Sequence, residues 1–363
     1  MSDFSSRLIR WQRTHGRHDL PWQGADAYRV WLSEIMLQQT QVATVIPYYL
    51  RFIAAFPTIA ALAAASEEQV LTHWSGLGYY ARGRNLHRAA QIIVEIHRGE
   101  FPRKYEQIAE LPGIGRSTAA AICALAWHER RAILDGNVRR VLARYRGIEG
   151  WAGEKKVEEQ LWEQAEALLT LPCRGRGGEG AGSLKSNDIA TYTQALMDLG
   201  ATVCTRSRPR CAVCPVQADC VAMQTDRIAE LPTPRPKKAV PERHATFLLL
   251  THGNDILLEK RPGSGIWGGL WCLPQFEDEI AARDWFLRNG MEARDGERLA
   301  TFTHTFTHFK LHITPLKVEL ARKPLRVEQV GSVWLEVGEA LGAAIPTPVR
   351  SVLLQLHRRM GGA

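Results

Sequence analysis

The sequence predicts two domains of different class, an all-α domain followed by a smaller α+β domain. Apolar residues recur at spacings of three and four from about residue 5 to residue 225, whereas strand-like runs begin after residue 244. Between these regions, residues 231–241 hold four prolines and three basic residues, which favour an extended linker over a packed helix. A chain of 363 residues is long enough to form more than one hydrophobic core.

The periodicity predicts individual elements in both regions. The predicted helices of the first domain are Tyr28–Gln38, Val42–Phe52, Ser66–Trp74, Asn85–His97, Ser117–Trp127 and Lys156–Leu169. Residues 173–186 contain five glycines and few apolar residues, so we expect a surface loop there. The predicted strands of the second domain are Ala245–Thr251, Ile256–Glu259, Ala300–Phe306, Leu311–Lys317 and Ser332–Leu335, with helices at Glu279–Asn289 and Val349–His357.

Composition and charge indicate an intracellular protein with a polyanionic partner. The N-terminus lacks the apolar core of a secretory signal, and the sequence has no run of eighteen apolar residues. We therefore expect a cytoplasmic, nucleoid-associated protein without a membrane segment. The net charge is +8, and residues 1–243 carry +7 of it, with 32 Lys or Arg against 25 Asp or Glu. Such an excess favours nucleic acid through release of counterions.

Four of the seven cysteines form a cluster that predicts a metal site. Cys204, Cys211, Cys214 and Cys220 lie within seventeen residues, spaced C-x6-C-x2-C-x5-C. Four thiolates this close can hold an iron–sulfur cluster or a tetrahedral zinc ion. Zinc sites usually pair two C-x2-C units, so the single unit here favours a cluster without excluding zinc.

The segment Leu111–Thr118, which reads Leu-Pro-Gly-Ile-Gly-Arg-Ser-Thr, has the pattern of a helix–hairpin–helix. Gly113 and Gly115 permit a tight turn, whose amides and following helix N-terminus can face a DNA phosphate. Taken alone, the same residues are also compatible with an ordinary turn between two packed helices.

The order of hairpin, Asp135 and cysteine cluster resembles the endonuclease III superfamily of DNA glycosylases. Further segments resemble the adenine DNA glycosylase (MutY) family within it, and the resemblance covers essentially the whole chain. These segments are Pro21–Trp22, Trp31–Pro47, Gly76–Asn85 and Met197–Ala201. The resemblance implies a helix–hairpin–helix glycosylase domain with a 4Fe–4S cluster bound by the four cysteines.

Glu34 is the first candidate catalytic residue. Trp31, Ile35 and Gln38 share its helical face. We therefore expect the carboxyl to face a largely apolar pocket, where desolvation raises its pKa and keeps it protonated near neutrality. The resemblance implies that Glu34 protonates a flipped adenine, although a surface position on the helix is the alternative from spacing alone.

Asp135 is the expected second carboxylate. An ionised carboxylate can stabilise the positive charge that develops on the sugar when a glycosidic bond breaks. Asp-Gly-Asn is also a helix-capping sequence, and a helix N-terminus would keep Asp135 ionised. Asn137 is expected to orient the carboxylate or a water. Ser117 stands where bifunctional relatives carry a Schiff-base lysine, which implies base removal without efficient strand cleavage, and the nearby Arg139 is no amine nucleophile.

The resemblance also implies a set of DNA contacts. Gln39 is expected to enter the base stack and Tyr79 to wedge beside the lesion, while Thr40 and Leu77 contact the damaged guanine. Core packing is the alternative for Tyr79. A basic loop between the first two cysteines is expected to face phosphates and contains Arg206, Arg208 and Arg210.

The C-terminal region resembles a Nudix fold without hydrolase activity. Residues 260–274 resemble the strand and loop that enter this fold, but Ala281–Phe286 lacks the glutamates that would bind Mg²⁺ on a diphosphate. The family uses this domain to recognise 8-oxoguanine, and Phe306-Thr307-His308 stands where many members have Phe-Ser-His. Thr307 keeps the hydroxyl, and packing within a β-loop is the alternative for His308.

The resemblance therefore implies an enzyme that removes adenine opposite 8-oxoguanine or guanine in duplex DNA, and we expect it to be a monomer. The expected domains are a glycosylase domain at 1–230, a linker at 231–243 and a Nudix-like domain at 244–363. Within the first, we expect a six-helix lobe at about 25–132 and a cluster lobe at 1–24 plus 133–225. The rival functions are a bifunctional pyrimidine glycosylase, a nucleotide-diphosphate hydrolase and a non-catalytic iron–sulfur DNA-binding protein.

Overall fold

A computed structural model describes residues 4–169, 186–236, 239–289, 296–323 and 331–361. Nearly all of the predicted glycine-rich loop at 173–186 lies outside these residues. The chain divides into two units. We call Met1–Ala63 with Arg88–Lys237 the helical unit, and Ala64–His87 with Lys238–Ala363 the mixed unit.

The helical unit is built from α-helices, which confirms the predicted class of this region. In chain order its helices are α1 Phe4–His15, α2 Ala27–Leu37, α3 Val42–Ala55, α4 Ile59–Ala64, the second half of α6 Ala81–His97, α7 Tyr105–Ala109, α8 Arg116–Trp127, α9 Gly136–Arg146, α10 Lys155–Leu169, α11 Ser186–Asp198 and α12 Val221–Gln224. The remaining predicted helix, Ser66–Trp74, is also present as α5 Glu67–Trp74 and belongs to the mixed unit.

One apolar core joins the N-terminal helix to the helices around the cysteines. It includes Leu8 of α1, Leu142 of α9, Leu161 of α10 and Leu199, which follows α11, all fully buried. Burial of a leucine side chain stabilises a fold by about 1.5–3 kcal/mol. This core therefore fixes the start of α9, where Asp135 lies.

In its described residues, the mixed unit contains an eight-stranded sheet, which confirms the α+β prediction. Its strands are β1 Glu242–His252, β2 Asp255–Lys260, β3 Trp271–Cys272, β4 Gln275–Phe276, β5 Glu297–Arg298, β6 Phe302–Thr305, β7 Lys310–Glu319 and β8 Ser332–Glu336. The central pair, β1 and β7, is parallel over ten residue pairs, whereas the other pairings are antiparallel. Its later helices are α13 Glu279–Arg288, α14 Val337–Gly342 and α15 Thr347–Arg359.

Helix α5 and the start of α6 belong to the mixed unit through specific polar contacts. A capping box between Ser66 and Gln69 begins α5. Glu68 accepts hydrogen bonds from Lys260 Nζ at 2.8 Å and Trp271 Nε1 at 2.6 Å, and these bonds lower its pKa. Arg84 donates to the Gly268 carbonyl at 2.6 Å.

The predicted linker at 231–243 begins against the helical unit. Leu231 is 2% exposed, and its carbonyl accepts a hydrogen bond from Arg144 Nε at 2.7 Å. Thr233 accepts one from the Gly150 amide at 3.1 Å. At the other end, Glu242 and Arg243 already form β1.

Across the described part of the chain, every helix is too short or too polar to span a bilayer.

Candidate active site and cysteine pocket

Glu34 lies in the middle of α2, among residues that exclude water. Trp31 is fully buried, Ile35 is 2% exposed, and Glu34 itself remains partly accessible. Two effects together raise the pKa of Glu34 from 4.5 to about 8. Desolvation is the larger effect, and the negative charge of Asp135 is the smaller one. The acid therefore holds its proton at neutral pH, and Asp135, which belongs to the same unit, contributes to this through its charge.

Asp135 is the N-cap of α9 and accepts a hydrogen bond from the Val138 amide at 2.7 Å. Desolvation is the largest influence on this carboxyl and gives a net upward shift of its pKa. The predicted influence of the helix N-terminus on the pKa of Asp135 is present, but the net shift has the opposite direction. Backbone amides and the charges of Arg140 and Arg139 do lower the pKa, but burial outweighs them.

The hairpin between α7 and α8 holds the segment that precedes Asp135. Gly113 has a φ of 81°, which favours glycine, and Gly115 is the N-cap of α8. Ser117, in the first turn of α8, accepts a hydrogen bond from the Leu134 amide at 2.9 Å. Arg139 Nε donates to the Leu134 carbonyl at 3.3 Å, and its guanidinium also bonds to Glu158. Ser117 and Arg139 thus position the backbone beside Asp135.

A polar stripe on α9 connects the candidate active site to the cysteine loop. Arg140 Nη2 donates to Asn137 Oδ1 at 2.8 Å and to the Gly200 carbonyl at 2.7 Å, while its Nε donates to the Cys204 carbonyl at 2.7 Å. A Cβ at Gly200 would lie 2.5 Å from Asn137 Cβ, so this approach requires glycine. Arg140 and Arg144 are not among the residues predicted from the sequence. They lie three and seven residues after Asn137 and so share its helical face, and this spacing could have predicted that they lie near the candidate site.

The four cysteines line a single pocket in the helical unit. Its other walls include Leu199, Val203 and Val216. Arg144, which is 3% exposed, directs Nη1 at Cys204 Sγ, 3.4 Å away. Burial raises the pKa of the Cys214 thiol to about 11, and the neighbouring thiols add to the rise, so a cation is needed to hold four thiolates here.

The geometry of these thiols differs from that of a single-ion site. In the described residues, no three His, Cys, Asp or Glu side chains converge closely enough to hold one metal ion. The four cysteines instead surround a common space.

The basic loop between Cys204 and Cys211 is fixed by its backbone and exposes its side chains. Arg144 donates to the carbonyls of Thr205 at 2.7 Å and Arg206 at 3.1 Å. Arg206, Arg208 and Arg210 are all exposed, and Arg210 also donates to the Thr202 carbonyl at 2.8 Å.

The turn between α2 and α3 contains Gln39 and Thr40. Gln39 is exposed and has a φ of 57°. This left-handed conformation costs a non-glycine residue roughly 1–2 kcal/mol, and such strain concentrates at functional sites. Thr40 is partly exposed, and its amide donates to the Leu37 carbonyl at 3.2 Å.

In the mixed unit, Tyr79 shows the same combination of exposure and backbone strain. It has a φ of 47° and is 46% exposed. This exposure argues against the alternative that Tyr79 is an ordinary core residue. Leu77, by contrast, is 5% exposed and supports the loop from inside.

Thr307 and His308 lie in the turn between β6 and β7, and both are exposed. The turn is closed by a hydrogen bond from the Phe306 amide to the Phe309 carbonyl at 2.9 Å. Phe306 stacks on Phe309 with ring centroids 4.5 Å apart and contacts Trp267 at 5.4 Å. The aromatic residues therefore form the base of the turn, whose tip presents a hydroxyl and an imidazole.

Comparison with known proteins supports the arrangement of both regions. The family described as HhH-GPD superfamily base excision DNA repair protein matches residues 32–167, and the NUDIX domain family matches residues 245–355. The solved structure of a thermostable thymine-DNA glycosylase matches with a TM-score of 0.52 and 25% sequence identity. The match spans 61% of this chain and 95% of the glycosylase chain.

Two curated relatives extend over nearly the whole chain. The adenine DNA glycosylase of Buchnera aphidicola subsp. Acyrthosiphon pisum (strain APS) is 36% identical over 352 residues, covering 96% of each chain. The adenine DNA glycosylase of Homo sapiens is 33% identical, covering 96% of this chain and 73% of its own. These matches confirm the predicted resemblance and fold class, and the chain therefore belongs to the adenine DNA glycosylase family.

Proposed function

We propose that this protein is a monofunctional glycosylase of base-excision repair that removes adenine opposite 8-oxoguanine, and less efficiently opposite guanine, from duplex DNA. The observation that carries the proposal is the coupled pair of carboxyls, in which the pKa of Glu34 is raised to about 8 beside Asp135. Glu34 is thereby suited to act as the acid, and Asp135 is proposed to act as the carboxylate that cleavage of a glycosidic bond also requires.

In the proposed reaction, Glu34 donates its proton to a ring nitrogen of the flipped adenine. The bond between C1′ and N9 then breaks, and its electron pair leaves with the base. Asp135, as the carboxylate, stabilises the positive charge on the sugar, electrostatically or as a covalent adduct. Water adds to C1′ and loses a proton, so the products are adenine and an abasic site. Asn137, held by Arg140 at 2.8 Å, orients the carboxylate or the water.

Ser117 supports the absence of lyase chemistry. A lyase needs a primary amine to form a Schiff base with the opened sugar. The Ser117 hydroxyl is engaged by the Leu134 amide, and Arg139 is bound by Glu158 and by the Leu134 carbonyl. Neither side chain offers such an amine, so we expect strand cleavage only by alkali.

We infer that Cys204, Cys211, Cys214 and Cys220 bind a 4Fe–4S cluster. All four cysteines line one pocket, as the ligands of a cluster do, whereas a tetrahedral zinc ion needs four sulfurs about one metal–sulfur bond, roughly 2.3 Å, from a single point. When bound, the cluster crosslinks the loop through its iron–thiolate bonds. Arg144, through the carbonyls of Thr205 and Arg206, keeps the basic loop in place.

The proposed DNA contacts are of three kinds, namely backbone amides, basic side chains and inserted side chains. Gly113 and Gly115 expose amides at the start of α8, and a Cβ at Gly115 would meet no protein atom, which leaves room for a phosphate to approach. Arg206, Arg208 and Arg210 add positive charge. Gln39 and Tyr79 are proposed to fill the stack, and Thr40 to contact the damaged guanine, together with the backbone of Leu77, whose side chain is buried. Thr307 and His308 are proposed to recognise 8-oxoguanine. We propose that the protein acts as a monomer.

A cleavage assay tests the function. The protein is incubated with duplexes that carry adenine opposite 8-oxoguanine, guanine or thymine, and each sample is divided before alkali treatment. We expect breaks in the adenine strand only after alkali, fastest opposite 8-oxoguanine and absent opposite thymine. Breaks before alkali indicate a lyase, and no breaks under either condition indicate a binding protein. Glu34→Gln should abolish product while keeping affinity for the duplex.

A further inference from the structure

The loop at residues 75–80 of the mixed unit carries the exposed, left-handed Tyr79. A conformation of this kind persists only when surrounding contacts hold it. Two sets of contacts do so, one from α5 and α6 and the other from the segment around Ile345.

The first set fixes the loop backbone immediately before Tyr79. Trp74 Nε1 donates to the Gly78 carbonyl at 3.1 Å, and Arg82 Nη2 donates to the same carbonyl at 3.2 Å. Arg82 also donates to the Leu77 carbonyl at 3.3 Å, and its guanidinium carbon lies 5.3 Å from the centre of the Tyr79 ring. The ring is thereby placed next to a cation that is itself mostly buried.

The second set joins the loop to the Ile345 carbonyl. This oxygen accepts hydrogen bonds from Ser75 Oγ at 2.8 Å and from Tyr80 Oη at 3.4 Å. Tyr80 Oη also accepts one from the Gly76 amide at 3.3 Å. Ser75 and Tyr80, the first and last residues of the loop, therefore both bind the carbonyl oxygen of Ile345.

Arg350, in the first turn of α15, completes this junction. Its Nη2 donates to Ser75 Oγ at 3.2 Å, and its Nη1 donates to the Leu341 carbonyl at 2.6 Å. Because Arg350 and the Ile345 carbonyl both bind the Ser75 hydroxyl, that hydroxyl must donate to Ile345 and accept from Arg350. One guanidinium therefore orients the hydroxyl that anchors the loop.

We propose that Arg350 is a positioning residue for lesion recognition, which acts through Ser75 to hold the loop that presents Tyr79. This proposal rests on the proposed function of Tyr79 at an 8-oxoguanine-containing pair. Without Arg350, Ser75 loses a charged donor and the loop samples conformations in which φ of Tyr79 relaxes. Binding must then restore the strained conformation, which weakens selection of the lesion while Glu34 and its proton are unchanged.

The experiment compares Arg350→Ala and Ser75→Ala with a matched control, Arg359→Ala. Arg359 lies on the same helix and forms an exposed ion pair with Glu297 at 3.2 Å. Each substitution is made in the full-length protein, and affinities for duplexes with adenine opposite 8-oxoguanine or thymine are measured in a Glu34→Gln background. We expect Arg350→Ala and Ser75→Ala to reduce the ratio of these affinities about 10-fold, as the loss of a hydrogen bond to a charged group allows, and Arg359→Ala to leave it unchanged.

Hydrogen exchange separates this proposal from the proposed function. In Arg350→Ala, the amides of residues 76–80 should exchange faster than in wild type, whether or not the protein excises adenine. An equal loss of affinity for both duplexes would mean that Arg350 contributes only general electrostatic attraction to DNA, and this would overturn the proposal. Unchanged hydrogen exchange of the loop amides would also overturn it. If Arg350→Ala lowers the melting temperature by more than a few degrees, Ser75→Ala decides the outcome, because it removes the same hydrogen bond while leaving α15 intact.

Discussion

Replacement of Glu34 by glutamine should make the protein more stable, by an amount that grows with pH. The folded protein holds Glu34 with a pKa of about 8, against 4.5 as the ordinary value that applies to the unfolded chain. A raised pKa contributes stability below about pH 4.5, and that contribution is lost as pH rises through about 8. The wild-type protein therefore loses stability across this range, while a neutral amide at position 34 does not.

The size of the effect follows from the difference between the two pKa values of Glu34. One pKa unit corresponds to about 1.4 kcal/mol, so a difference of about 3.5 gives at most about 5 kcal/mol above pH 8. At pH 7 only the range from 4.5 to 7 counts, which gives about 3 kcal/mol. For a unit of this size, such a change raises the melting temperature by about 6 °C or more.

The assay is thermal unfolding followed by circular dichroism from pH 5 to pH 9, with iron content matched between samples. The control is Glu163→Gln, which removes a carboxylate from the exposed face of α10. The difference in melting temperature between Glu34→Gln and wild type should grow from pH 5 to about pH 8 and then level off, and that of the control should remain near zero. A difference that stays constant with pH, or a variant less stable than wild type at pH 8, would falsify the assignment of Glu34 as the protonated acid.

Three further predictions concern the reaction and the cysteine loop. The single-turnover rate of adenine excision should fall about 10-fold per pH unit above roughly pH 8, because Glu34 then loses its proton; a rate unchanged at pH 9.5 contradicts this role. Ser117→Lys should allow borohydride to trap a covalent complex with DNA, whereas wild type forms none; failure to trap would show that position 117 does not face the sugar. Arg140→Leu removes the hydrogen bonds to the carbonyls of Cys204 and Gly200. We therefore expect less iron per chain and a free energy of unfolding about 2–4 kcal/mol lower, as for other broken buried networks. Full iron content and an unchanged melting curve would contradict a link between Arg140 and the cysteine loop.

Local patterns were enough to predict most elements of this fold. The helix containing Glu34 was expected at Tyr28–Gln38 and is found at Ala27–Leu37, because the spacing of its apolar residues and its packing agree. The buried environment of Glu34 followed from the same spacing. The parallel pairing of β1 with β7 could not be read from either strand alone, since it joins segments more than sixty residues apart in the chain.

The contacts that position the candidate site were less predictable because they are non-local. Arg144 looks like an ordinary basic residue near the end of α9, and only tertiary structure shows it buried against Cys204 and Leu231. Residues 64–87 read as part of the helical region, yet Glu68 and Ser75 bind the sheet-containing region. Asp135 shows a third kind of difference. Its capping role was visible in the sequence, but the desolvation that opposes it depends on residues far away in the chain.

The position of Asp135 at the first turn of α9 limits how its chemistry can be dissected. One of its oxygens accepts the Val138 amide, so alanine at this position would remove a helix cap worth about 1 kcal/mol together with the charge. Asparagine caps helices about as well as aspartate but carries no charge. A comparison of the two replacements thus separates what this side chain does for the architecture of α9 from what it does for the sugar cation.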